Sequence, residues 1–177
     1  MSLTIEQANA LLTEKPGLFN FEEIEIRGVP TRVWKAAPPS LRTVLDISRS
    51  HGAKDYRVYE DERWTFAEHY RAVAALATRM VEDLGIQKGD RVALAMRNLP
   101  EWPMVFWATV SIGAVIVPLN AWWTGDELEF GLADSGARVL FCDAERLERI
   151  APHLDRLPAL ERIIVARGPA NLPTGVL

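Results

Sequence analysis

The chain has a single cysteine, Cys142, among 177 residues, and only three histidines. One thiol excludes an internal disulfide and cannot supply a cysteine-based zinc site; this usage fits a reducing, cytoplasmic setting. Its neighbours Val139-Leu140-Phe141 place it at the end of a buried strand. His51, His69 and His153 have no partner at metal-ligand spacing, and each reads as a surface or helix-face residue, so no metal ligand is assigned. Basic charge is also short. Twenty Lys and Arg stand against 24 Asp and Glu, for a net charge of -4, and the cations never form a block. That balance argues against a nucleic-acid partner. The N-terminus lacks a basic region followed by an apolar run, so no secretory signal is expected. Residues 102–125 contain no charge or histidine, but Gly113 and Pro118 punctuate the run. A helix followed by a short buried strand explains it better than a transmembrane segment.

Phosphate-binding strings are missing as well. No glycine loop ends in Lys and Ser or Thr, no G-x-G-x-x-G follows a strand pattern, and no G-x-S-x-G is present.

What is present is a strand–helix rhythm. Hydrophobic content of 49% and charged content of 25% are ordinary for a globular domain with a core. Thr4 and Gln7 form a capping-box pattern for a helix ending before Pro16. Phe21–Arg27 alternates and is expected to pair with Thr31–Trp34 across Gly28-Val29-Pro30. Ser40 opens a helix with Leu41, Val44, Leu45 and Ile47 on its apolar side. Tyr56–Glu60 and Arg63–Phe66 form a hairpin around Asp61-Glu62, and Thr65 with Glu68 caps the helix that follows and stops at Gly85. Strands are then expected at Arg91–Met96, Ala114–Pro118, Arg138–Cys142 and Arg162–Val165. Helices lie between them: one capped by Asn98 with Pro100 in its first turn, one capped by Thr124 with Glu127, and one from Ala144 to about Ile150. This alternation predicts an α/β fold, a largely parallel sheet with covering helices and small hairpins near the N-terminus. The expected segments are a lead-in region, 1–55, a β/α core, 56–167, and a linker-like tail, 168–177.

Acidic residues such as Asp61, Glu62, Glu82, Asp83, Asp126, Glu127 and Glu129 fall where caps and solvated faces want them. Two places keep functional interest. Arg97 and Asn98 follow a strand of the parallel series, where ligands sit in open α/β sheets, and are candidates for cofactor binding. Against that, Asn98 also suits a helix cap. Trp122 and Trp123 follow the next strand and are candidates for a substrate-pocket wall, with core packing as the plainer alternative.

Several segments carry a family resemblance. Arg63-Trp64-Thr65-Phe66-Ala67-Glu68 resembles the "lTYaEL" element of AMP-forming acyl-CoA synthetases, members of the adenylate-forming superfamily. Leu84 to Leu94 (LGIQKGDRVAL) resembles its "lGv.kGDrVai" segment, and Asn98 with Glu101-Trp102 its "N..ew". Ser111 to Asn120 (SIGAVIVPLN) is similar to "aGAv.vPlnp", and Glu127-Leu128, Leu132 to Ala137 and Asp143 continue in order. The match is dense over residues 56–143 and looser on the flanks.

The resemblance implies a two-step ligase. A carboxylate attacks the α-phosphate of ATP, giving an acyl-adenylate and pyrophosphate, and a thiol, usually that of coenzyme A, then displaces AMP. It implies ATP, Mg2+ and coenzyme A for the complete enzyme, a small-molecule carboxylate as substrate, and the remainder of the same polypeptide as partner. The family's Gly/Ser/Thr-rich loop, acidic metal-binding segment and C-terminal Lys all come later than the region matched. The expectation is therefore the N-terminal portion of a fatty-acid-type acyl-CoA ligase, carrying no catalytic residue, inactive alone and open to self-association. A carrier-protein-loading adenylation enzyme and a non-catalytic α/β binding module are the alternatives.

Overall fold

The computed structural model describes residues 3–14, 17 and 19–168; the tail from residue 169 onward lies outside them. The chain divides into two compact units, 1–43 and 44–177.

In the first unit Thr4 caps α1 (Ile5–Thr13) through a complete capping box with Gln7. β1 (Phe21–Ile26) and β2 (Val29–Trp34) form an antiparallel hairpin. Its turn is Arg27-Gly28, both at positive φ (51° and 81°), and not the Gly28-Val29-Pro30 stretch expected from sequence. A two-residue turn of that hand matches strand twist, so Val29 and Pro30 are drawn into the ladder. Pro30 is tolerated because this two-stranded sheet has free edges.

α2 (Leu41–Ser48) runs from the first unit into the second. Of its expected apolar side only Leu45 is buried; Leu41, Val44 and Ile47 are exposed. In the second unit β3 (Asp55–Tyr59) and β4 (Glu62–Thr65) pair around Glu60-Asp61, one residue earlier than predicted, with Glu60 at positive φ. Thr65 then caps α3 (Phe66–Glu82), with the Thr65–Glu68 box formed.

From there the strand–helix alternation appears as expected, through β5 (Arg91–Ala95), α4 (Glu101–Ser111), β6 (Val115–Pro118), α5 (Gly125–Ser135), β7 (Val139–Asp143), α6 (Ala144–Ile150) and β8 (Arg162–Ala166). The four strands form one parallel sheet in the order β6-β5-β7-β8. Strand periodicity splits the core in two. Val92, Leu94, Val139 and Phe141 pack with Val73 and Met80 of α3 and Val105 and Ala108 of α4. Ala93, Ala95, Leu140 and Cys142 pack with Leu128 and Leu132 of α5 and Leu147 and Ile150 of α6. Each fully buried Val, Leu or Ile contributes about 1.5–3 kcal/mol, which makes the sheet's two faces the main source of stability. Burial pushes the Cys142 thiol up to about 12, leaving it protonated at neutral pH.

Helices α5 and α6 meet closely at Gly125. A Cβ there would stand 2.5 Å from the Arg149 carbonyl oxygen and closer still to His153 Nε2. Backbone cannot yield as a side-chain tip does, so Gly125→Ala is expected to cost about 1–3 kcal/mol, read as a lower denaturation midpoint with unchanged slope.

Candidate functional site

The chain order of the sheet reverses between β5 and β7. From β5 the chain steps outward to β6, then returns across to β7 and continues to β8 on the other side. In open α/β sheets the carboxyl ends at such a reversal splay their loops apart and leave a crevice. A cavity of about 600 Å³ lies there, lined by Arg97, Asn98 and Leu99 after β5, by Asp143 to Arg146, by Ala166 and Arg167 of the β8 end, and by Tyr59. A smaller cavity of about 300 Å³ shares Tyr59, Asn98 and Leu99 and extends to Arg57 and Trp102.

The floor of the crevice is an ion pair. Asp143 ends β7 and caps α6, accepting the Arg146 N–H at 3.1 Å. Its Oδ2 also accepts the Arg97 N–H at 2.9 Å. The Arg146 side chain is 1% exposed, and its Nη1 donates to both Asp143 oxygens at 3.1 Å and to Glu145 at 2.9 Å. Arg146 Nε reaches the Ala121 carbonyl at 2.7 Å, with Nη2 on the same oxygen. Arg149 Nη1 holds the Trp123 carbonyl at 2.7 Å. A buried guanidinium is tolerable only when its N–H groups are met this way.

These anchors place the sequence candidates. The Arg97 guanidinium lies 3.7 Å from the centroid of the Trp122 ring, which is 68% exposed. Trp123 turns the other way and packs against the α5/α6 core, with Gly131 beneath its ring. Arg97 and Asn98 both line the crevice. Asn98 does not cap α4: the Leu99 N–H closes a tight turn onto the Arg97 carbonyl at 2.6 Å, and the helix begins after Pro100, without a side-chain cap. The Asn98 amide is exposed at the crevice and hydrogen-bonds to none of the described residues.

At the rim Arg167 pairs with Glu62 at 2.8 Å and Glu101 at 3.0 Å and lies over the Tyr59 ring. The Glu62 hydrogen bond, with that of Glu101, holds its guanidinium pKa above the ordinary value despite partial desolvation. Arg57 donates to the Pro100 carbonyl and covers the Trp64 ring at 4.4 Å; burial lowers its pKa. Sequence reasoning missed Asp143, Arg146, Tyr59 and Arg167 as site residues. Only the first two left a signal, an Asp-x-x-Arg step where a strand turns into a helix.

Two histidines depart from the surface reading. His69 is 1% exposed. His153 stands 2.7 Å from Glu129 and 3.6 Å from Asp126, a trio whose ligand atoms lie within 4.8 Å of one another. Arg156 already sits 2.7 Å from the Glu129 carboxylate, supplying the cation there. The crevice itself does not fit Mg2+, because the Asp143 and Glu145 oxygens are engaged by Arg146, Arg149 and the Arg97 amide.

A parallel sheet with a cavity at its reversal point defines a ligand-binding α/β protein. The AMP-binding enzyme family model matches residues 46–175. The chain belongs to the AMP-binding enzyme family. It is 32% identical over 129 residues to a 4-hydroxybenzoate/benzoate–CoA ligase of Rhodopseudomonas palustris, covering 73% of this chain and 24% of that protein. A feruloyl-CoA synthase of Amycolatopsis is 40% identical over 116 residues, covering 63% and 23%. The long-chain-fatty-acid–CoA ligase FadD13 of Mycobacterium tuberculosis is 38% identical over 99 residues, covering 56% and 19%. Among solved structures, the anthranilate CoA ligase AuaEII in complex with anthranoyl-AMP superposes with a TM-score of 0.67 at 28% identity, covering 72% of this chain and 25% of that one. The N-terminal domain of FACL13 from Mycobacterium tuberculosis gives 0.64 at 30% identity, covering 72% and 33%. The chain thus spans no more than a quarter of the length of these curated relatives. No helix among the described residues is long and apolar enough to cross a membrane.

Proposed function

We propose that the complete polypeptide is an ATP-dependent acid–thiol ligase that converts a hydrophobic carboxylic acid, ATP and coenzyme A into acyl-CoA, AMP and pyrophosphate. The observation that carries this reading is the crevice at the β5/β7 reversal, lined by Arg97 and Asn98, in a chain of the AMP-binding enzyme family. An acid oxygen displaces pyrophosphate from the α-phosphate, and the thiol then displaces AMP from the mixed anhydride. All three reactants are anionic, so a cation held at the crevice favours their approach and orientation. Arg97 is that cation, Asn98 offers a neutral donor and acceptor beside it, and Trp122 carries the guanidinium on its ring face. Mg2+ neutralises triphosphate charge in such chemistry, and its ligands are assigned to the remainder of the polypeptide. The benzoate, feruloyl and long-chain fatty acid names of the relatives support aromatic or fatty acids as the substrate class.

The test is AMP formation by the complete polypeptide with a panel of aromatic and fatty acids. Turnover is expected to need acid, ATP and coenzyme A together, and Arg97→Gln is expected to raise KM for one anionic substrate about tenfold, the low end for losing a hydrogen bond to a charged group. Residues 1–177 alone are expected to give no product and, with the outer edges of β6 and β8 unpaired among the described residues, to self-associate at high concentration. Turnover by that piece alone would overturn the assignment of the catalytic groups to the remainder.

A further inference from the structure

We propose that Arg146 is a positioning residue for the ligase reaction: its buried guanidinium, paired with Asp143, sets the Arg97–Trp122 stack that faces substrate. The inference rests on the ligase reading above for its kinetic consequence, and on geometry alone for the stack.

Three strand ends converge on this one ion pair. The loop after β5 is held where the Arg97 N–H donates to Asp143 Oδ2 at 2.9 Å. The loop after β6 is held where the Ala121 carbonyl receives Arg146 Nε at 2.7 Å. The end of β7 supplies Asp143 itself. Arg97 and the residue preceding Trp122 are thus both main-chain partners of the Asp143–Arg146 pair. Among the described residues neither exposed side chain makes a hydrogen bond that would hold the two at 3.7 Å. Asn120 Oδ1 accepts the Trp122 N–H at 2.9 Å, and Arg149 grips the Trp123 carbonyl. The Leu119 N–H ties the start of this loop to the β5 end through the Leu94 carbonyl at 2.9 Å, and Arg149 Nη1 stands 3.5 Å from the Ala121 carbonyl. Arg146 adds the two short donors on Ala121 that fix the loop between Leu119 and Trp122. At 1% exposure, with its N–H groups spread over Asp143, Glu145 and Ala121, Arg146 lines the crevice floor with almost no surface to offer a ligand. Its effect on substrate therefore passes through Trp122 and Arg97.

The experiment is a double-mutant cycle in the complete polypeptide with Arg146→Met and Arg97→Gln, together with Arg146→Lys. Arg146→Met is expected to raise, about tenfold, KM for the same substrate that Arg97→Gln affects, with kcat within about threefold. The double variant should be no worse than Arg97→Gln alone. Arg146→Lys keeps the charge on a slightly shorter chain and cannot chelate Ala121 with two donors, so it should recover only part of the loss, and it also serves if the Met variant does not fold. Fully additive effects, or an equal fall in kcat with KM unchanged, would overturn the proposal. A second readout does not need turnover. Acrylamide quenching of Trp122 emission, taken as the difference from Trp122→Phe, should rise in the Arg146 variants as the ring leaves the guanidinium. Unchanged quenching would overturn the positioning role even in an active enzyme. Absent turnover by the wild type with the expected quenching would overturn the ligase reading alone and uphold Arg146 as the support of the stack.

Discussion

Asp143→Ala is expected to destabilise the protein by about 3–5 kcal/mol, the range for stranding one member of a buried ion pair. Three losses combine in it. Arg146, at 1% exposure, would keep its charge with only the half-exposed Glu145 as acidic partner. The Arg97 N–H would lose its acceptor, and α6 would lose its N-cap, a change that by itself costs about 1 kcal/mol. Asp143→Asn retains an oxygen for the cap and is expected to fall well short of the alanine effect. Adding Arg146→Met to Asp143→Ala should recover part of the stability, since it removes the stranded charge and leaves an apolar chain of similar length. Chemical denaturation of the four proteins decides the matter. A cost below about 1 kcal/mol for Asp143→Ala would mean that water reaches Arg146.

The sheet was readable from sequence because its signals are local and agree with one another. Thr65–Glu68 and Thr124–Glu127 announce helix starts, Gly113 and Gly136 announce stops, and the apolar strand runs lie between them. The turns were less legible, because register depends on which residues accept positive φ. Arg27 and Glu60 both do so, and neither advertises it. The reading of Asn98 as a cap failed where Pro100, which has no N–H to offer it, takes the cap position and a tight turn at Leu99 takes up the slack. As for the site, Arg97 and Asn98 were found because a position rule applies to any parallel strand end. Arg146 and Arg167 were not. Their meaning lies in contacts with Ala121, Glu62 and Glu101, at separations of 25 to 105 residues, which no local pattern encodes.

His69 shows the same limit, and it carries the second large prediction. At helical spacing it passes for a face residue, yet it is 1% exposed, stacked on Tyr56 at 4.1 Å, with neither ring nitrogen hydrogen-bonded among the described residues. Burial, reinforced by the nearby Arg57 guanidinium, lowers its pKa from 6.5 to about 4. Above pH 6.5 the ring is neutral in both the folded and the unfolded chain, and its stabilising contribution is complete. Below that value the unfolded chain takes up a proton that the native chain refuses, so stability drains away until the native ring titrates near 4. At about 1.4 kcal/mol per pH unit, the loss across this window approaches 3 kcal/mol. His69→Phe keeps a ring against Tyr56 but cannot titrate. The variant should therefore gain about 3 kcal/mol on the wild type between pH 7 and pH 4. Asp90, Glu68 and Glu161 are held below their ordinary values by hydrogen bonds and also lose stabilisation in acid, but they do so equally in both proteins and cancel in the difference. A difference that stays flat with pH would mean that the native ring protonates as readily as a free one, and the packing of β3 against α3 and α4 would then have to admit a charge beside Arg57.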